Sequence, residues 1–403
     1  MKCQICGNKK LELVLSLGHQ PVVQAYLRTE DLTKPETTYP LNFSRCPKCG
    51  LLQLDSIVDP KIVFPKNYPY RTGLTNMLIR NFEELAEESL KENRFKKGDL
   101  VIDIGSNDGT LLQSFKKRGA RVLGIEPTDA AKVANKNGIA TLQEYFTKDS
   151  VKQILNKYGK AKIVTATNVF AHIPNPVPLT KNIKSILSPE GVFVSESQYL
   201  MDIVEKFEFD TIYHEHLRFY SLKPLSKLFA LTGLNLVDAK RISAAGGSIR
   251  VYAARGGKLS AGAKQLIKEE EKAGLYSPAR WKKFSADALF AKNDLLSLLI
   301  GLKKNGARIV GITSSARSNT LLGFTKIDRG ILDYTGEKNG SPKIGMFTPG
   351  THIPVVDESK IFKEQPEYAL MLSWHIGEEL AQIFQKNGYK GKFIIPLPKP
   401  RIV

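Results

Sequence analysis

Residues 100–111 read LVIDIGSNDGTL. The first four are mostly apolar and β-prone, Gly105 and Gly109 follow, and an apolar stretch then suits the opening of a helix. The pattern predicts the first strand of an open α/β sheet turning sharply into its first helix. In such sheets ligands sit beyond the carboxyl ends of the strands. The glycines let the backbone turn tightly and approach a ligand with no Cβ in the way. Asp103, at the strand end, is placed to accept a hydrogen bond from a cationic amine.

A dinucleotide fingerprint reads G-x-G-x-x-G. Here the spacing is D-x-G-x-x-x-G, from Asp103 through Gly105 to Gly109, with Asn107 inside the loop. It resembles the S-adenosylmethionine loop of Rossmann-like methyltransferases, whose cofactor has no diphosphate to cradle. Residues 121–126 (RVLGIE) form the next strand and end in Glu126. That acid stands roughly 20 residues beyond the loop, as expected of a carboxylate that accepts from both hydroxyls of a ribose. The plain alternative is a structural turn.

The chain has 403 residues, too many for one ordinary core, so two or three domains are expected. No apolar run approaches the ~18 residues needed to span a membrane, and no membrane partner is expected. The opening MKCQICGNKK lacks the apolar core of a signal peptide, which makes cytoplasmic residence the expectation. Lys+Arg number 59 against 40 Asp+Glu, a net charge of +19. This favours an anionic partner, nucleotide or RNA, although the lysines are dispersed (Lys96, Lys97, Lys116, Lys117, Lys303, Lys304) with no arginine-rich arm.

All four cysteines fall in the first fifty residues, as Cys3-x-x-Cys6 and Cys46-x-x-Cys49-Gly50. Two paired thiolate knuckles make a tetrahedral structural zinc site of the ribbon type. Strands are expected at 11–15 and 51–54, and the module ends near residue 70. His19 reads as a loop residue, not a fifth ligand. Next, Tyr68 and Tyr70 stand in a proline-broken loop before a helix over 75–93, in position either to pack or to roof the cofactor site.

The α/β domain continues with strands at 161–166 (AKIVTA) and 191–196 (GVFVSE), flanking a helix over 179–187. Asn168, at the end of the first of these, is a cofactor-site candidate. It lacks a following Pro-Pro-aromatic, which argues against nitrogen as methyl acceptor. Residues 209–221, FDTIYHEHLRFYS, set Tyr213, His214, Glu215 and His216 side by side. A histidine titrates near neutral pH and can take a proton from carbon. A neighbouring carboxylate can orient it, and a tyrosine hydroxyl can stabilise an enolate. On a strand, His214 and His216 would share a face and permit metal chelation. Paired strands at 232–236 and 247–254 and a helical connector over 261–304 follow.

A second α/β start appears at 307–312 (ARIVGI), followed by a small-residue loop, 313–319. Such a loop opening a helix offers free N–H groups to an anion, and Arg317 adds a charged fork. An ordinary capped turn is the alternative. Ser315, Arg317 and Asn319 here, with His352 in the later loop 347–354 (FTPGTHIP), are the expected substrate-binding residues. Strands are expected at 368–372 and 392–395.

Taken in order, the CxxC…CxxCG module, the methyltransferase core, YHEHLRFYS, GGSIRVYAA and a final TPGTHIP-containing α/β domain resemble the nucleotide-sugar C-methyltransferase family along essentially the whole chain. These enzymes methylate carbon 3 of a dTDP-linked 4-keto-deoxysugar. The resemblance implies three parts: a zinc module (1–70), an S-adenosylmethionine-dependent core (71–245) and a Rossmann-like substrate domain (246–403). It implies His216 as base, Glu215 and Tyr213 in support, and Tyr70 in preference to Tyr68 completing the site. Two departures stand out. Ala244 and Ala245 replace a histidine often found before Gly-Gly-Ser, and GITSSARS replaces a GYGA-type turn. The rival readings are a zinc-module RNA methyltransferase and methyl transfer to another small molecule.

Overall fold

The computed structural model describes residues 1–66, 68, 73 and 76–403, without the side chains of Asn76 and Ala245. Three sheets carry the fold. The N-terminal sheet has β1 (Glu12–Gln20), β2 (Tyr39–Arg45) and β3 (Leu52–Leu54), antiparallel neighbours in that order. Leu15, Leu17, Leu41, Phe43, Leu52 and Leu54 bury one face. The short helix α1 (Pro60–Val63) leads out of the module, and α2 (Asn76–Glu92) opens the next domain.

The central sheet is built from β4 (Leu100–Ile104), β5 (Arg121–Ile125), β6 (Thr141–Leu142), β7 (Ala161–Thr167) and β8 (Leu187–Gln198). Their crossover helices are α3 (Thr110–Lys117), α4 (Ala130–Lys136), α5 (Lys148–Lys157) and α6 (Pro176–Ile186). All five β4 residues are buried, as a parallel strand covered on both faces requires. After β8 come α7 (Leu200–Glu205), β9 (Arg218–Phe219), α8 (Leu222–Thr232), β10 (Asn235–Ile242) and β11 (Ser248–Ala254). The seven-stranded order is β10-β11-β8-β7-β4-β5-β6, so the chain reverses direction between β4 and β7. That switch point is where an open α/β sheet leaves a crevice for ligand.

Helices α9 (Ala261–Lys272) and α10 (Pro278–Lys304) connect to the C-terminal sheet. It holds β12 (Ile309–Ile312), β13 (Thr335–Glu337), β14 (Val355–Asp357), β15 (Tyr368–Met371), β16 (Lys392–Ile395) and β17 (Arg401–Ile402). The helices are α11 (Ala316–Thr325), α12 (Ser359–Glu364) and α13 (Gly377–Lys386). The order β14-β13-β12-β15-β16-β17 is parallel except for the last pair. This is the second Rossmann-like unit that the sequence predicts.

Two expectations are corrected here, and one strand is new. The expected boundary between residues 245 and 246 cuts a hairpin, since β11 pairs with β10 from Ile242↔Ser248 onward and with β8. The methyltransferase sheet therefore runs on to Ala254. The strand expected from 232 begins at Asn235, because α8 runs through Thr232. And β9 joins the N-terminal sheet by pairing with β3 (Leu52↔Phe219, Gln53↔Arg218), which welds the first two modules together. Among the described residues no helix is long and apolar enough to cross a membrane.

Candidate active site

The loop after β4 needs unusual backbone. Gly105 (φ 71°), Asn107 (φ 50°) and Gly109 (φ 81°) are all left-handed, the region that glycine and asparagine tolerate best. A Cβ on Gly105 would come within 2.5 Å of Val169, in the loop after β7, so only glycine lets the two loops close on each other. Asn168, the other left-handed asparagine at this edge (φ 54°), donates its backbone N–H to Glu196 O at 2.8 Å.

Glu126, just past β5, accepts from the Asn107 N–H at 3.0 Å and from the Thr128 N–H at 2.8 Å. Asp103, at 2% exposure, accepts from the Thr165 hydroxyl at 2.7 Å. Burial pushes the Asp103 carboxyl up to about 7, and the charges of Glu126 and Glu196 add to this. Among the described residues neither Asp103 nor Glu126 has a lysine or arginine partner. Two carboxyl groups at the carboxyl ends of neighbouring strands, held by neutral donors, suit a ligand that is both cationic and rich in hydroxyls. That is the chemistry of S-adenosylmethionine.

The histidine cluster lies on the loops that follow β7 and α7. His216 Nδ1 is 2.7 Å from the Thr211 carbonyl. A carbonyl only accepts, so in the neutral ring Nδ1 carries the proton and Nε2 the lone pair. Burial, reinforced by the charge of Arg317, lowers its pKa to about 4. The ring packs against Tyr213 (centroids 4.0 Å apart) and His172 (5.1 Å), and His172 stacks on Phe64 at 5.6 Å. Glu215 accepts from the Tyr68 hydroxyl at 3.0 Å through Oε2, while Oε1 is buried without a partner. Burial raises its carboxyl to about 7, so a sizeable share of it stays protonated near neutral pH.

Glu215 therefore does not orient His216, as adjacency in sequence suggested; a peptide carbonyl does. Tyr68, the less favoured tyrosine, reaches Glu215, and Tyr70 lies outside the described residues. His214 and His216 sit on an irregular loop, so they share no strand face. The one metal-capable cluster among the described residues is the four cysteines. Sequence reasoning passed over His172, whose signal was only its place beyond the end of a predicted strand.

The expected anion loop is filled by its own chain. The Ser314 N–H donates to Glu337 at 2.5 Å, and Ser315 and Ser318 cap one another. Asn319 donates to Val23 O at 2.8 Å, and His352 pairs with Glu36 at 3.0 Å. Arg317 is bidentate to Asp210 at 3.1 and 2.9 Å. The capped turn is what the structure shows, and Ser315, Arg317, Asn319 and His352 each have a partner within the chain.

The cysteines meet their expectation. Cys3 and Cys49 Sγ are 3.5 Å apart, Cys6 and Cys46 Sγ 3.6 Å, and all four lie within 4.8 Å of one another. A disulfide needs ~2.05 Å. A zinc tetrahedron with 2.3 Å Zn–S bonds has edges of about 3.8 Å, so the four thiolates fit that ion.

Residues 3–64 match the family described as "Putative zinc binding domain", 71–239 a methyltransferase domain, and 243–398 a C-methyltransferase C-terminal domain. The whole chain is 29% identical to the C-methyltransferase NovU of Streptomyces niveus, covering 96% of it. A part, 35% of the chain, is 27% identical to the ubiquinone biosynthesis O-methyltransferase of Aeromonas salmonicida, covering 65% of that protein. The solved magnesium protoporphyrin IX methyltransferase of Synechocystis with bound S-adenosylmethionine matches 50% of this chain and 100% of its own, at 13% identity and a TM-score of 0.38.

Sequence families and site together define an S-adenosylmethionine-dependent methyltransferase. Within that class, the chain is similar along its whole length to a C-methyltransferase, and its matched modules set a zinc-binding domain before the methyltransferase core and a C-methyltransferase C-terminal domain behind it.

Proposed function

We propose that this enzyme methylates the carbon beside the ketone of a nucleotide-linked keto-deoxysugar. The observation that carries the reading is a base and an acid adjacent in sequence and linked through Phe64, whose ring meets both Tyr68, the partner of Glu215, and His172, which packs on His216: His216 has its lone pair on Nε2, and burial lifts the Glu215 carboxyl to about 7. A carbon nucleophile needs both. His216 Nε2 takes the proton from the carbon next to the carbonyl. The Glu215 hydroxyl donates to the carbonyl oxygen as it becomes an enolate, in a buried setting where such a bond is worth most. Tyr68 steadies Glu215 through its hydroxyl, and Tyr213 packs on the base. Asp103, Glu126, Asn168 and the Gly105–Asn107–Gly109 loop hold S-adenosylmethionine, which supplies an electrophilic methyl group.

The test offers labelled S-adenosylmethionine with nucleotide 4-keto-deoxysugars and ribosomal RNA in parallel. Label on carbon of the sugar, stable to base, is the expected result. Label on RNA would overturn the reading and make the basic surface the recognition apparatus.

A further inference from the structure

Gln4 lies inside the first zinc knuckle, between Cys3 and Cys6, yet its side chain faces the catalytic loops. Gln4 Oε1 accepts from Arg218 Nη1 at 2.6 Å, and Gln4 Nε2 donates to Leu54 O at 3.2 Å and Leu217 O at 3.5 Å. Its backbone N–H is held by Gln53 Oε1 at 2.8 Å. Arg218, 1% exposed, passes the connection on: Nη2 donates to Phe170 O at 3.0 Å and Ile173 O at 2.5 Å, and Nε to the Tyr220 hydroxyl at 2.8 Å. The Leu217 N–H adds Ala171 O at 3.2 Å. Three carbonyls of the turn 170–173 are thus held by residues 217 and 218. That turn carries His172, clamped between the Phe64 and His216 rings.

Arg218 has no carboxylate partner among the described residues. Its buried charge is balanced by oxygen dipoles and the Tyr220 ring, 5.9 Å away, so each acceptor counts. Removing Gln4 Oε1 leaves Nη1 unpaired and frees the guanidinium to shift, taking the turn with it.

We propose that Gln4 is a positioning residue that ties the zinc knuckle, through Arg218, to the placement of His172 against His216. Its effect on turnover rests on the reading of His216 as base; its effect on the histidine rings does not. The test compares full-length, zinc-loaded parent, Gln4→Met and Gln4→Glu. Histidine side-chain ¹⁵N spectra, zinc content, S-adenosylmethionine affinity and steady-state kinetics are recorded for each. In Gln4→Met the zinc and the affinity are expected to stay, and the His172 and His216 resonances to move while those of His19 and His352 do not. A misplacement of this kind lowers kcat by about 10–100-fold, with KM little changed. Gln4→Glu keeps the acceptor for Arg218 while losing the donor to Leu54 O and Leu217 O, so it restores spectrum and rate at least in part relative to Gln4→Met. Parental His172 and His216 resonances in Gln4→Met, loss of its zinc, or failure of Gln4→Glu to restore the spectrum would each overturn the proposal. If the parent methylates no sugar, the proposed function falls, and the spectra still decide this inference.

Discussion

In the proposed reaction, the direction of proton transfer at His216 follows from one hydrogen bond. The Thr211 carbonyl fixes the proton on Nδ1, and burial keeps the ring neutral down to about pH 4. The pH dependence can be signed. The unfolded ring titrates near 6.5, so below that pH the unfolded chain binds the extra proton first. The His216 contribution to stability is full above pH 6.5 and is lost as pH falls toward 4. Glu215 works the other way: with its pKa raised to about 7, the folded chain holds the proton, and this contribution is lost as pH rises from 4.5 through 7. His216→Gln should lower turnover by about 10²–10⁴-fold, the usual worth of a general base. Calorimetric S-adenosylmethionine affinity should match the parent, and the variant's melting temperature should fall less than the parent's between pH 6.5 and 4. Near-parental turnover would remove His216 from the base role. In the parent, kcat/KM should fall on the alkaline side with a pKa near 7 as Glu215 loses its proton; a profile flat to pH 9 would deny Glu215 its donor role.

At the scale of elements, a buried polar network fastens α2 to the central sheet. Arg250 on β11 binds Glu196 on β8 at 2.6 Å and Glu88 on α2 at 2.7 Å, and Asn81 donates to Glu196 at 2.7 Å. Arg250→Met would strand Glu196 in the interior, a loss of about 3–5 kcal/mol of stability. Urea unfolding at pH 7 measures it. The deficit should shrink toward pH 5, since burial already raises the Glu196 carboxyl and removing the arginine raises it further, so protonation relieves the cost. A deficit unchanged with pH would mean that lost packing, not stranded charge, is responsible. The same network marks where sequence reading stops. The β4–loop–α3 unit and the cysteine knuckles were legible because their determinants are local: an apolar run, glycines at fixed spacing, thiols in pairs. β9 was not, since two residues pair with a strand at 52–54 and leave no periodicity. Nothing near Arg218 or Arg250 in the sequence announces that both are buried.

Across the whole molecule the C-terminal domain helps shape the surroundings of His216, the proposed base, from outside the methyltransferase sheet. Arg317 at the start of α11 forms its bidentate pair with Asp210, lies 3.7 Å from Glu208, and places its guanidinium 5.4 Å from the Trp374 ring. The Trp374 indole donates to the same Asp210 carboxylate at 2.8 Å. Asp210 directly precedes Thr211, whose carbonyl orients His216. Arg317 was expected to grip an anionic substrate; the anion it grips is the protein's own, 107 residues away in sequence and invisible to any local pattern. Arg317→Met should therefore cost about 3 kcal/mol or more by leaving Asp210 buried without its cation. Asp210→Asn should cost a similar amount. The double variant, with no charge left to strand at that pair, should recover much of the loss, giving a coupling energy of about 1–3 kcal/mol in a double-mutant cycle of unfolding free energies. The kinetic signature belongs to the same arrangement: Arg317→Met lowers kcat while S-adenosylmethionine affinity holds, since the Thr211 carbonyl shifts and the cofactor loop does not. Additive losses would show that the two residues act separately. A fall confined to KM would return Arg317 to substrate binding and dissolve the link between the C-terminal domain and the base.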